Sequence, residues 1–254
     1  MSDAITDTQA KPWAGRFSNP IVGRRFAIAD VHGCLNTLRR MVEDILKLGE
    51  DDVLYLLGDY IDRGPDSKGV LDYLMQLCMS DLDIRPLLGN HERMLLNAVT
   101  RTEEARNRWF DCDGRLTMQQ FGVKKPSDIP EEYINFLSTL PTVLTTDDYV
   151  FVHAGLHFGV ADPVNDTPDF FRLWDRDYKV KPELIGNRTL VVGHTVTDIH
   201  TIRKSLETKH IMLDNGCFKK GYIGFGSLVA LNLDTRNIRS EERRVGKECR
   251  SRWS

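Results

Sequence analysis

Five apolar runs in this chain end in residues that could ligate a metal or handle a phosphate. Asp30 and His32 follow residues 25–29; Asp59, Asp62 and Arg63 follow residues 53–57; Asn90 and His91 follow residues 84–88. His153 follows Tyr149–Val152, and His194 follows Thr189–Val192. Four of the seven histidines thus stand at the ends of strand-like runs. A lone histidine in such a place is more often a hydrogen-bonded structural residue than a ligand. Four of them, interleaved with Asp30, Asp59 and Asn90, would be costly to bury at one sheet edge unless something satisfied them. A pair of divalent cations would do so. Mixed His, Asp and Asn donors suit Mn²⁺, Fe or Zn²⁺. Ca²⁺ prefers oxygen alone, and a structural zinc usually takes cysteine.

The densest cluster is Gly58-Asp59-Tyr60-Ile61-Asp62-Arg63-Gly64. Asp59 is a hard oxygen donor, and Arg63 presents a planar fork suited to phosphate. Asp62 stands between them and could orient a neighbouring acid or base. Taken alone, a polar turn closed by a surface salt bridge explains this stretch equally well. The other four clusters decide against that.

These residues need elements to position them. Residues 53–57 form a short, continuous, β-favouring run, which predicts a buried strand. Residues 25–29 predict another. An amphipathic helix is expected over 35–48, with Leu35, Leu38, Met41, Val42, Ile45 and Leu46 on one face. Ser67 is a candidate N-cap for a helix over 68–78. Residues 84–88 form a third strand, leading into a helix near Glu92. Three strand–loop–helix units in succession predict a parallel sheet. Ligands bind at the C-terminal edge of such sheets. Residues 101–140 read as helical and charged. Residues 142–146 and Tyr149–Val152 predict a hairpin, and 156–187 read as irregular. Short strands are expected at 201–203, 211–213 and 227–233, around an Asn215-Gly216 turn.

Composition sets the frame. With 41% apolar and 28% charged residues over 254 positions, the chain can build one substantial soluble core. No linker-like stretch divides it, and no apolar run is long enough to span a membrane. The net charge of −3 does not point to nucleic acid. Five cysteines without C-x-x-C spacing read as free thiols of a reducing cytoplasm. Residues 1–20 read as a tail and 21–238 as one catalytic domain. Residues 239–254 carry six basic and three acidic residues with no apolar period. They resemble the translation of a sequencing adapter and are expected to be a non-native, disordered tail.

In order along the chain, D-x-H-G, G-D-x-x-D-R-G, G-N-H-E, H-A-G and G-H resemble the calcineurin-like metallophosphoesterase superfamily. They are most similar to the PPP-type serine/threonine protein phosphatases in their short bacterial and phage form. Leu173-Trp174-Asp175-Arg176 resembles the segment that supplies a second phosphate-binding arginine there. The resemblance spans roughly residues 25–235 and implies an α/β fold, a central β-sandwich flanked by helices on both sides. It implies two divalent metals, most naturally Mn, with Fe or Zn as options. Asp30, His32 and Asp59 would hold one; Asp59, Asn90, His153 and His194 would hold the other. Arg63, Arg176 and Asn90 would bind the phosphate. His91, oriented by Asp62, would donate a proton to the leaving group. A water acidified between the metals would attack phosphorus, so no phosphoenzyme is expected. The family usually has glycine before the first aspartate; here it is Ala29, and a small local shift is expected.

The resemblance implies hydrolysis of phosphoserine and phosphothreonine in a phosphoprotein or phosphopeptide partner; a monomer that binds neither nucleic acid nor membrane is expected. The alternative is a symmetrical bis(5'-nucleosyl)-tetraphosphatase or a broader phosphoesterase. Such tetraphosphatases typically carry Ala-Arg-Gly in the second motif and G-N-H-D in the third. Asp62 and Glu92 stand at those points here and favour the protein phosphatase. A catalytically dead phosphoprotein-binding module would be expected to have lost ligands or the acid, and none is missing.

Overall fold

The computed structural model describes residues 22–219 and 221–242. Strands β1 (Arg25–Ile28), β2 (Val53–Leu56) and β3 (Asp83–Pro86) pair in parallel, in the order β3-β2-β1. Strand β8 (Ser227–Asn232) lies antiparallel beside β1, and β9 (Ile238–Glu242) lies antiparallel beside β8. A second sheet has the order β4 (Val143–Thr145), β5 (Tyr149–Val152), β6 (Thr189–Val192), β7 (His210–Met212). There β4 and β5 form the expected antiparallel pair, and β5, β6 and β7 run parallel.

The two sheets pack face to face. Ala27, Tyr55, Leu57 and Leu87 from the first share a core with Phe151, Val191, Ile211 and Leu213 from the second. The Tyr55 and Phe151 rings stack across it at 4.2 Å. The opposite face of the first sheet, with Ile28, Leu54 and Leu56, is buried under helices carrying Leu38, Met41, Leu71, Leu74 and Leu95. Both faces of β2 are therefore covered, which is why its sequence is continuously apolar and not alternating.

Helix α1 (Leu35–Arg39) continues through a wider π-type turn, Arg40–Leu46, and ends at left-handed Lys47. In α2 (Ser67–Met79) the N-cap is Asp66 and not Ser67, because Asp66 Oδ1 accepts from Gly69 N at 2.8 Å. The helix expected near Glu92 is α3 (Asn90–Thr100), and the charged middle forms α4 (Glu103–Phe110), α5 (Gly114–Phe121) and α6 (Glu131–Ser138). The stretch expected to be irregular contains α7 (Pro163–Asp166) and α8 (Asp169–Trp174).

Three further expectations are corrected. Residues 201–203 lie in α9 (Ile199–Ser205), because Asp198 caps a helix there by accepting from the backbone N–H groups of His200 and Thr201. Asn215-Gly216 does not close a hairpin; it carries the chain from β7 in one sheet to β8 in the other. Residues 239–242, expected to lack structure, belong to β9. Strand pairing needs only backbone groups, and the edge of β8 supplies them, with an Arg40–Glu241 ion pair at 2.9 Å. The remainder of the expected tail, and the expected tail at the other end through residue 20, lie outside the described residues. Among the described residues no helix is long and apolar enough to cross a membrane.

Candidate active site

The C-terminal ends of β1, β2, β3, β5 and β6 converge, and each delivers its polar cluster to one place. His32, Asp59, Asp62, Arg63 and His194 all have positive φ, between 44° and 69°. Non-glycine residues rarely adopt this conformation, and tertiary contacts must hold them in it. Glu92 does much of this. Its Oε2 accepts from Asp59 N at 2.9 Å and Gly89 N at 3.1 Å; its Oε1 accepts from Tyr60 N at 2.8 Å and Ile61 N at 3.2 Å. One buried carboxylate thus fastens the loop after β2 to the start of α3. The approach is close enough that a Cβ on Gly89 would meet Asp59 N at 2.2 Å, so only glycine fits.

Asp59 lies at the centre. Its Oδ2 is 3.5 Å from His32 Nε2 and 3.9 Å from His91 Nε2, and its Oδ1 is 3.4 Å from His153 Nε2. Asn90 Oδ1 lies 2.8 Å from His153 Nε2 and 2.9 Å from His194 Nδ1. His32 and His153 each turn Nδ1 towards a backbone carbonyl, of Ile61 and Leu57, at 2.8 Å. That fixes a proton on Nδ1 and leaves each Nε2 on the Asp59 side. Asp30 Oδ1 accepts from His194 N at 3.0 Å, while Asp30 Oδ2 and His194 Nε2 are buried with no hydrogen-bond partner. Ala29 is accommodated beside Gly193: a Cβ there would sit 3.3 Å from the Ala29 methyl.

This donor set fits metal ions. Lone pairs of His32, His153, Asn90 and Asp59 point at one another, and two orphaned polar atoms sit among them. Positive charge between the donors stabilises such an arrangement. Burial lowers the pKa of His32 well below the usual imidazole range, the form a ligand needs. Burial opposes charge on His153 as well, but Asp59 outweighs it and raises His153 to about 9. A proton there and a divalent cation answer the same attraction. Asp59 with His153 and His194, and Asp59 with His32 and His91, each bring ligand atoms within 4.8 Å of one another.

His91 is held differently from the other histidines. Its Nδ1 meets Asp62 Oδ2 at 2.7 Å. Asp62 is in turn fixed by Trp109 Nε1 at 3.0 Å and Thr117 Oγ1 at 2.6 Å. Burial disfavours charge on His91, yet Asp59 and Asp62 together raise its pKa. The imidazolium form, with Nε2–H directed at the Asp59 side of the cluster, can donate a proton. Arg63 Nη1 lies 2.9 Å from His32 Nε2, its guanidinium over the Phe218 ring at 4.7 Å. Arg176 lies on the exposed rim just past Trp174, close enough that its charge adds to the burial and the His153 charge that lower His194 to about 3. All the expected residues thus gather at this edge, with Arg176 at its margin.

Glu92, Trp109, Thr117 and Phe218 also serve the site. Glu92 carried a signal, as the last letter of G-N-H-E. Trp109, fully buried within a charged helix, was a weaker one. Nothing local marks Thr117 or Phe218.

The calcineurin-like phosphoesterase profile matches residues 24–218. Curated relatives include a symmetrical bis(5'-nucleosyl)-tetraphosphatase from Pectobacterium carotovorum, 33% identical over 133 residues, covering 52% of this chain and 43% of that protein. Another, from Aromatoleum aromaticum, is 32% identical over 139 residues, 54% of this chain and 46% of that protein. The chain therefore matches about half the length of these relatives. Among solved structures, a provisionally assigned diadenosine tetraphosphatase superposes with a TM-score of 0.63 at 23% identity, covering 90% of this chain and 97% of that one. A serine/threonine phosphatase from Saccharomyces cerevisiae gives 0.55 at 16% identity, covering 91% and 83%. These two likenesses speak to the fold.

Proposed function

The chain belongs to the calcineurin-like phosphoesterase family, and from that premise we propose that it cleaves symmetrical dinucleoside tetraphosphates. The observation that carries this reading is a group of eight similar curated proteins, each named a symmetrical tetraphosphatase, at 31–39% identity. It reverses the order of preference drawn from the motifs, where the protein phosphatase came first. Two divalent ions would be held by Asp30, His32 and Asp59, and by Asp59, Asn90, His153 and His194. When bound, such ions supply Lewis-acid polarisation and a water acidified towards neutral pH. Arg63 and Arg176, with Asn90, bind and orient the phosphoryl oxygens, Arg63 through its planar fork. The tetraphosphate presents four phosphates in line, and cleavage at its centre expels a nucleoside diphosphate.

A second reading, hydrolysis of phosphoserine and phosphothreonine in proteins, is favoured by one observation: the His91–Asp62 pair. A nucleoside diphosphate is a weakly basic leaving group and gains little from a proton donor. A serine alkoxide is strongly basic and gains much. An imidazolium held at 2.7 Å from a buried carboxylate suits the latter. The deciding experiment compares kcat/KM of the Mn²⁺-loaded chain on diadenosine tetraphosphate and on a phosphoserine/phosphothreonine peptide panel, with products resolved. The tetraphosphatase reading expects ADP alone from the first substrate and a clear preference for it. Preference for the peptides would overturn it in favour of the second reading.

A further inference from the structure

We infer that Asp214 is a further residue of the metal centre, an acidic neighbour that helps hold a divalent cation on its Asp30 side. The inference rests on the metal-centre reading above. Asp214 lies two residues past the end of β7. Leu213 N donates to Val192 O at 2.9 Å, and Thr197 N donates to Asp214 O at 2.7 Å, so this end of β7 is tied to the segment that delivers His194. Asp214 therefore reaches the same sheet edge as the other donors, from a strand that contributes none of them.

Its surroundings repeat those of Asp30. Asp214 is 1% exposed and Asp30 is 2% exposed. In each, one oxygen accepts from a backbone N–H, Gly216 N at 2.7 Å and His194 N at 3.0 Å, and the other oxygen has no hydrogen-bond partner. Burial, and then the Asp214 charge, push the Asp30 carboxyl well above its ordinary range. Burial pushes Asp214 itself up to about 6. Two buried carboxylates, each with an oxygen that no hydrogen bond claims, are expensive to keep. The local turn does not require the charge. The bond from Gly216 N is an Asx turn, which an asparagine side-chain oxygen makes equally well. What distinguishes aspartate from asparagine here is the negative charge, and a cation in the adjacent cluster is what that charge would serve. Acidic groups outside the coordinating set commonly tune metal affinity in this way.

Asp214→Asn keeps the volume and the acceptor for Gly216 N and removes the charge. Mn²⁺ binding to the full chain is measured by titration calorimetry, and Tm is measured with Mn²⁺ and with chelator. The expected result is about 10–100-fold weaker binding of at least one ion, with Tm in chelator unchanged or raised because like-charge repulsion is relieved. Wild-type affinity in the variant would overturn the inference. So would a lower Tm in chelator, since the carboxylate would then be supporting the loop. Asp214→Ser, which also keeps an oxygen acceptor, is run alongside; failure of both variants to fold in chelator assigns Asp214 a structural role and refutes the proposal. If the wild-type chain binds no Mn²⁺, the metal-centre reading itself fails, and this inference with it.

Discussion

The two ends of the sandwich carry charge in opposite ways. At the N-terminal end of the parallel strands, Arg25 bonds Asp148 at 2.9 and 3.0 Å and Asp234 at 2.7 Å. Those side chains are 19%, 51% and 38% exposed, and each of the three charges has an ion-pair partner. At the C-terminal end, Asp30, His32, Asp59, His91, His153 and His194 are all buried. Five residues there are left-handed, and Asp30 Oδ2 and His194 Nε2 have no hydrogen-bond partner. One end is an ordinary solvated ion-pair cluster. The other keeps strain and unmatched polar atoms under cover, which persists only where surrounding structure enforces it. Charge alone does not mark a functional end; unsatisfied charge in an enforced geometry does.

If that contrast is right, substitutions at the two ends differ greatly in effect. The largest is expected for Asp59→Asn, which removes charge from both donor sets at once. Phosphatase activity on p-nitrophenyl phosphate should fall to background with the fold intact by circular dichroism; near-normal turnover with two ions bound would break the comparison. His91→Asn comes next. It should retain Mn²⁺ binding but slow release of basic alkoxides by about 10²–10⁴-fold, with a much smaller loss on p-nitrophenyl phosphate or a tetraphosphate. Equal losses on both classes of substrate would place the acid elsewhere. Asp62→Asn should show a weaker version of the same split.

Glu92→Gln follows. Both Glu92 oxygens accept two backbone N–H groups each, so an amide must turn its own N–H groups against donors. The expected cost is about 1–3 kcal/mol of stability and about 10–100-fold in metal affinity, read by denaturant titration and Mn²⁺ calorimetry. Unchanged Mn²⁺ affinity would show that the loop after β2 holds its shape without Glu92.

The smallest effect is expected at the far end. The Arg25 hydrogen bond lowers the Asp148 pKa. A depressed carboxylate stabilises the fold above its unfolded pKa and loses that contribution as pH falls through the folded value. Asp148→Asn should therefore cost under about 1 kcal/mol at neutral pH, since the pair is largely solvated, and nothing in acid. A pH series of Tm values checks this, and a loss as large as that of Glu92→Gln would erase the difference between the two ends.

The sequence by itself determined the elements with strong local signals. Strand β2 was legible because both its faces are buried and its apolar run is unbroken. The donor residues were legible because each stands at the end of such a run, in an order few folds share. The α9 helix was misread because residues 201–203 are short and partly β-branched, while the deciding cap, Asp198, lies outside them. Strand β9 was misread because its pairing draws on the backbone edge of β8, which no side-chain pattern announces. Only the tertiary structure decided that Asp62 is clamped between Trp109 and Thr117, that Glu92 gathers four N–H groups, and that Asp214 arrives at the same edge as Asp30. Each of these joins residues distant in sequence. Their meaning lies in a buried oxygen that is or is not satisfied, and burial is a property of the folded chain.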